Sequence, residues 1–265
     1  MNDTRSHARL YTMAALIAAF WPVWSWIAGR VFDRSGDRWE ALAAITAVAF
    51  LWRDRELCPG ARVGRPTIAA LLAYAAVYAY VPPLVRALLA MSVLASACAS
   101  LWYAKRVVVW LAGLLMLSAP LMSSIDFFAG YPLRVLVGDA TAWLLQMQGL
   151  NVVRDGAVLS WGGKHVAIDA PCSGVKMLWT GAYLCCACAA LLRLDNWRTL
   201  ALGGATVVVV LAANVLRACA LFYIEGGIIQ APAIAHDAIG LVMLAFAAGS
   251  LTSLSLRLAG VRHAH

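Results

Sequence analysis

Residues 199–224, TLALGGATVVVVLAANVLRACALFYI, decide the fold, because Arg217 is the lone charge in a run of 26 residues. Coiled as an α-helix at 1.5 Å per residue, the run reaches ~39 Å, more than the ~30 Å hydrocarbon layer of a bilayer. Similar apolar blocks recur at 10–29, 37–52, 66–81, 83–104, 107–129, 173–192 and 233–256, giving eight candidate spans in 265 residues. The second is interrupted by Glu40, and the third and fourth are parted only at Pro82 and Pro83. Composition agrees: 63% of the residues are hydrophobic and 13% charged, which excludes an ordinary soluble domain. Leu10–Gly29, behind Arg5 and Arg9, is too long for a signal peptide and has no small-x-small cleavage site, so it reads as the first span.

The formal charge of +8 does not point to nucleic acid, because the 21 Lys and Arg are dispersed over short segments between apolar blocks rather than gathered on one face. Basic residues are retained on the cytoplasmic side. With the N-terminus inside, the inner segments hold 12 of the 21: Arg5, Arg9, Arg53, Arg55, Arg62, Arg65, Lys105, Arg106, Arg193, Arg198, Arg257 and Arg262. Both termini are therefore expected in the cytoplasm of a multi-pass cytoplasmic (inner) membrane protein in contact with lipid. The seven cysteines form no disulfide framework, since Cys98, Cys185, Cys186, Cys188 and Cys219 lie in apolar runs, Cys58 in a basic loop, and Cys172 alone opens a run. The thiols of Cys185, Cys186 and Cys188 diverge on a helix with no His nearby in sequence, so no metal site is expected, and no cofactor.

This topology puts 130–172 outside. Tyr131–Gln148 places Leu133, Leu136, Val137, Trp143, Leu144 and Met147 at helical spacing, which predicts an amphipathic helix at the interface. Three β-type runs follow, Leu150–Arg154, Ala157–Trp161 and Lys164–Ala170, separated by the turn pairs Asp155-Gly156 and Gly162-Gly163. The expected fold class is an all-α polytopic membrane protein of about eight spans with a small extracytoplasmic β-meander. Its expected parts are a five-span region (1–129), the outer helix and meander (130–172), and a three-span core (173–265).

Three polar features interrupt the apolar background: Pro171-Cys172-Ser173-Gly174 opening the sixth span, Asn214-x-x-Arg217 late in the seventh, and His236-x-x-x-Gly240 opening the eighth. The sixth and eighth spans enter from outside and the seventh exits there, so all three features belong at the outer level. Arg217 is expected ~10 Å short of its helix end. A charge that deep costs ~2.5–3.5 kcal/mol on insertion scales and generally marks function or a buried pair, for which Asp169, Glu225 and Asp237 are candidates. Lys176 is expected to snorkel to the headgroups. His165, on the meander, is expected to be solvated.

Cys-Ser-Gly, Asn-x-x-Arg and His-x-x-x-Gly, in that order in the last three spans, resemble the exosortase/archaeosortase family, most specifically over 149–240. The resemblance implies a cysteine protease or transpeptidase acting on exported proteins that end in a short motif, often Pro-Glu-Pro, a membrane helix and a basic tail. It implies Cys172 as nucleophile, His236 as acid/base and Arg217 as the charge-stabilising partner. Pro171, and Lys176 where Arg is frequent, depart from the commoner family pattern. The chemistry fits: a helix N-terminus and nearby cations lower a Cys pKa from ~8.5 into the range ~3.5–7.5, imidazole can protonate a leaving amine, and a guanidinium offers donors that do not titrate. Asn214, three residues before Arg217, shares its helix face. Ser173, Gly174, Lys176, Asp169, Asp237 and Gly240 complete the expected surroundings. The alternative is a non-catalytic component of an exporter or cell-surface polysaccharide assembly system, but such a path should carry polar residues through the membrane, and here they stop in the outer third.

Overall fold

The computed structural model describes residues 2–32, 39–56, 63–168, 174–232 and 234–260. Among them ten helices flank one three-stranded sheet: α1 (Asn2–Ala19), α2 (Trp21–Phe32), α3 (Glu40–Arg53), α4 (Arg65–Val77), α5 (Pro83–Tyr103), α6 (Val109–Leu117), α7 (Met122–Met147), β1 (Val153–Asp155), β2 (Val158–Trp161), β3 (Lys164–Ala167), α8 (Val175–Leu191), α9 (Asn196–Glu225) and α10 (Ile234–Leu258). Among the described residues α5, α9 and α10 are each long and apolar enough to cross a membrane, and the spans number five if the bent pairs α1/α2 and α6/α7 each make one. The shorter apolar helices α4 and α8 have 13 and 17 residues, and at 1.5 Å per residue α4 falls ~10 Å short of the hydrocarbon thickness.

Prolines explain both breaks. Pro22 has no amide to offer the helix that precedes it, so α2 leaves α1 at 63° instead of continuing one straight first span. Pro120 likewise ends α6, and the chain restarts as α7. The fifth apolar block is therefore divided, and the outer amphipathic helix is not a separate element. Tyr131–Met147 continues a helix begun at Met122, with Pro132 inside it. The buried side of α7 is Val137, Thr141, Ala142 and Leu145, whereas Leu136, Trp143 and Met147 of the expected stripe are exposed. Apolar spacing alone did not distinguish a face packed on protein from one left to lipid.

Two compact units emerge, Met1–Ser123 with Cys186–Leu200, and Ser124–Cys185 with Ala201–His265. In the first, α5 packs against α1, α2, α4 and α6. Small residues on α5, Ala87 and Ala90, allow close approach beside Phe20, Val23, Tyr74 and Met91. Glu40 is 1% exposed, and its Oε1 accepts from the amides of Leu121 and Met122 at 2.7 and 2.8 Å. It thus satisfies donors at the helix start that Pro120 created. At the far end of α3, burial pushes the Asp54 carboxyl upward, but bonds from Arg53 and Tyr103 and the charge of Arg193 outweigh it and hold it below the usual range.

The second unit contains the meander, which is antiparallel in the order β1-β2-β3. Its second turn falls at Gly162-Gly163 as expected, with φ of +56° and +78°. Its first turn lies one residue later than expected: Asp155 pairs with Val158, so the turn residues are Gly156 and Ala157. The register points Leu159, Val166 and Ile168 into a core with Ala142 and Leu145 of α7 and Cys219, Leu221 and Phe222 of α9. An ion pair of Arg154 with Asp139 ties β1 to α7, and Tyr223 of α9 donates to Gln148 just beyond α7. Met177, Val210, Ala213 and Ala247 form a second core among α8, α9 and α10.

Candidate active site

Asp169, Cys172 and Ser173 lie outside the described residues. Gly174 resumes the chain and heads α8, its carbonyl accepting the Leu178 amide at 2.8 Å. Two constraints fix its identity. Its φ is +81°, a region that disfavours any side chain, and a Cβ there would lie 3.0 Å from Asn214 Nδ2 and 3.2 Å from Asn214 Cγ. Asn214 itself is fully buried. The Cys-Ser-Gly and Asn-x-x-Arg features, far apart in sequence, are thus in contact through Gly174. Lys176 is exposed on the first turn of α8, consistent with a solvated ammonium.

Arg217 is half-buried on α9, eight residues before Glu225 and so ~12 Å short of the helix end. A Cβ on Gly240 would stand 3.5 Å from each of Cζ, Nε and Nη2 of Arg217. Three equal distances mean that the guanidinium presents its flat face to Gly240. His236 is one turn earlier on the same face of α10, and its Nδ1 lies 3.4 Å from Glu225 Oε1. Asp237, next to it, is exposed in the first turn of α10, where the helix dipole favours a carboxylate. Glu225 and His236 are the polar end of a cleft walled, among the described residues, by Leu159, Val166, Ala167, Ile168, Ala218 and Leu221. Lys164 holds the meander to this end of α9 by donating to the Gly226 carbonyl at 2.9 Å. His165 is exposed and is bonded across its sheet to Ser160 Oγ at 2.8 Å. Cys185, Cys186 and Cys188 are buried in α8.

A family model described as transmembrane exosortase matches residues 6–252. The chain belongs to that family. No curated protein and no solved structure matches it. Exosortases are generally cysteine transpeptidases, and membership implies a multi-pass membrane protein concerned with processing sorting signals.

In this exosortase the structure brings Gly174 to Asn214 and Gly240 to Arg217, and it sets His236 one turn from Gly240. Glu225, a candidate partner for Arg217 in the sequence, faces His236. The cleft and the Lys164 tie were not foreseen. The signal for Glu225 was present, because it ends α9 just before a short connection to the helix that carries His236.

The Gly174 geometry makes a prediction with an internal control. Gly174→Ala should lower the thermal unfolding temperature in detergent, because left-handed φ alone costs ~1–2 kcal/mol and the methyl meets Asn214. Gly203→Ala and Gly249→Ala, where nothing lies within 4 Å of the new methyl, should leave it equal or higher. Equal unfolding temperatures for all three would remove the constraint placed on Gly174.

Proposed function

We propose that this exosortase is a cysteine protease or transpeptidase that cuts the C-terminal sorting signal of exported proteins at the outer face of the cytoplasmic membrane. The contact between Gly174 and Asn214 carries the reading. Cys172 is two residues before Gly174, and two residues of chain span at most ~7 Å, so the thiol is tethered near the helix that bears Arg217. The flat approach of that guanidinium to Gly240, a turn from His236, supports one site built from α8, α9 and α10.

In this mechanism His236 takes the thiol proton of Cys172, and the thiolate adds to the scissile carbonyl. Arg217 donates hydrogen bonds to the resulting oxyanion. The tetrahedral adduct collapses as the C–N bond breaks, and His236 returns the proton to the departing amine, leaving a thioester on Cys172. Water or an acceptor amine then releases the acyl group. Asn214 and Gly240 position Arg217, the Gly174 amide and Lys176 favour negative charge at the start of α8, and Asp237 lies beside His236 in the first turn of α10. The partners are exported proteins bearing a short motif, a membrane helix and a basic tail. The working parts are 1–129 for membrane anchoring, 130–172 for the outer wall and 173–265 for chemistry, with eight crossings and both termini in the cytoplasm.

The deciding experiment is the mass of the C-terminal end of such an exported protein, encoded in the same genome, in cells with and without this chain. A truncated end that depends on the chain is expected, and an intact end in both overturns the reading. Location has its own test. A reporter fused at Gly156, in the first turn of the meander, should give an extracytoplasmic signal, and a cytoplasmic signal would sink both the topology and the outer site.

A further inference from the structure

We propose that Glu225 is a positioning residue for His236, holding the imidazole in the tautomer that leaves Nε2 free toward the reacting groups. This rests on the reading of His236 as the acid/base. His236 Nδ1 lies 3.4 Å from Glu225 Oε1, across the short connection between α9 and α10. An ionised carboxylate only accepts, so the ring nitrogen facing it is the one that carries hydrogen. The Nε2 lone pair is then available to take the Cys172 proton. Once protonated at both nitrogens, the ring can return that proton from Nε2 to the leaving amine, while Glu225 offsets the charge of the imidazolium.

The rest of the cleft strengthens the assignment. Among the described residues that line it, Leu159, Val166, Ala167, Ile168, Ala218 and Leu221 offer the imidazole no side-chain acceptor. Glu225 is itself placed from two sides: it ends α9, and the next residue, Gly226, takes the Lys164 ammonium of β3 on its carbonyl. The meander therefore fixes the end of the helix that fixes the carboxylate, which gives the β segment a part in the chemistry beyond walling the cleft.

His236 and Glu225 have 42% and 39% exposed side chains, so the effect should be smaller than the ~10⁴-fold of a buried triad carboxylate. Glu225→Ala should lower kcat about 10- to 100-fold with little change in KM. Glu225→Gln, whose exposed amide can turn its oxygen to Nδ1, should recover part of the loss. The assay uses full-length purified protein and a fusion carrying the C-terminal motif, membrane helix and basic tail of an exported protein from the same genome. In parallel, ¹⁵N-histidine spectra of the uncut enzyme report the tautomer directly. The His236 signal should read hydrogen on Nδ1 in wild type and Glu225→Gln, and move toward hydrogen on Nε2 in Glu225→Ala. Wild-type kcat in Glu225→Ala, or a kcat loss with the tautomer unchanged, overturns the role of Glu225 alone. Cleavage surviving Cys172→Ala or His236→Ala instead overturns the site reading, and this role with it.

Discussion

Cys172→Ala is expected to leave the sorting signal of the exported substrate uncut, with no detectable residual processing at equal membrane levels of the enzyme. The expectation rests on the contrast among the thiols. Cys185, Cys186 and Cys188 are buried within α8, Cys98 within α5 and Cys219 within α9, each well inside its helix rather than at an N-terminus. Cys172 instead precedes the first turn of α8, where the helix dipole favours negative charge. Cys172→Ser should fail as well, because a hydroxyl does not ionise under conditions where such a thiol does. Cys185→Ala should retain processing and at most lower stability, since removing a buried thiol leaves a small void. The readout is the mass of the C-terminal end of the substrate. A processed end in the Cys172→Ala strain would contradict the nucleophile assignment.

Arg217→Lys is expected to slow cleavage by about 10²–10³, the range for loss of a single oxyanion donor. Charge alone does not account for the guanidinium, because its plane lies flat against Gly240 and its donors form a rigid fork. A lysine keeps the charge but has neither plane nor fork, and its ammonium rotates on a flexible stem. Gly240→Leu should produce a related defect with Arg217 intact, since Gly240 has room for at most a methyl before the side chain meets Cζ, Nε and Nη2. Both variants should still insert and carry an alkylatable Cys172. Single-turnover rates in detergent decide the matter, and near wild-type rates in Arg217→Lys would remove Arg217 from the chemistry.

The sequence read most clearly where a physical rule admits one outcome. A run as long and apolar as 199–224 can only be buried or span, and Gly162-Gly163 between two β-type runs can hardly avoid a tight turn. The motifs behind the proposed site drew notice because an arginine inside an apolar run, an Asn three residues away and a His-x-x-x-Gly turn stand out against apolar sequence. Other features were hidden in the tertiary arrangement. Whether Leu136 or Val137 faces protein depends on where the meander lands on α7, and helical period alone is silent on that. The one-residue shift to a Gly156-Ala157 turn is equally non-local, because Leu159 and Val166 must point into the core with Ala142 and Phe222. The sequence offered Asp169, Glu225 and Asp237 as candidate partners for Arg217 without distinguishing them, and only the fold shows that Glu225 meets the His236 ring.

The buried carboxylate of Glu40 sets a clock on assembly. The two amides it accepts from belong to residues 81 and 82 positions later in the chain. At the ~5–20 residues per second of synthesis, that stretch takes about 4–16 s to emerge from the ribosome. Throughout that interval α3 exists without the hydrogen bonds that fix its first residue, so it cannot take its final seat before α4, α5 and α6 have been made. The start of α7 is therefore the latch for a helix translated several seconds before, and the first unit, which also takes in Cys186–Leu200, is complete only later still.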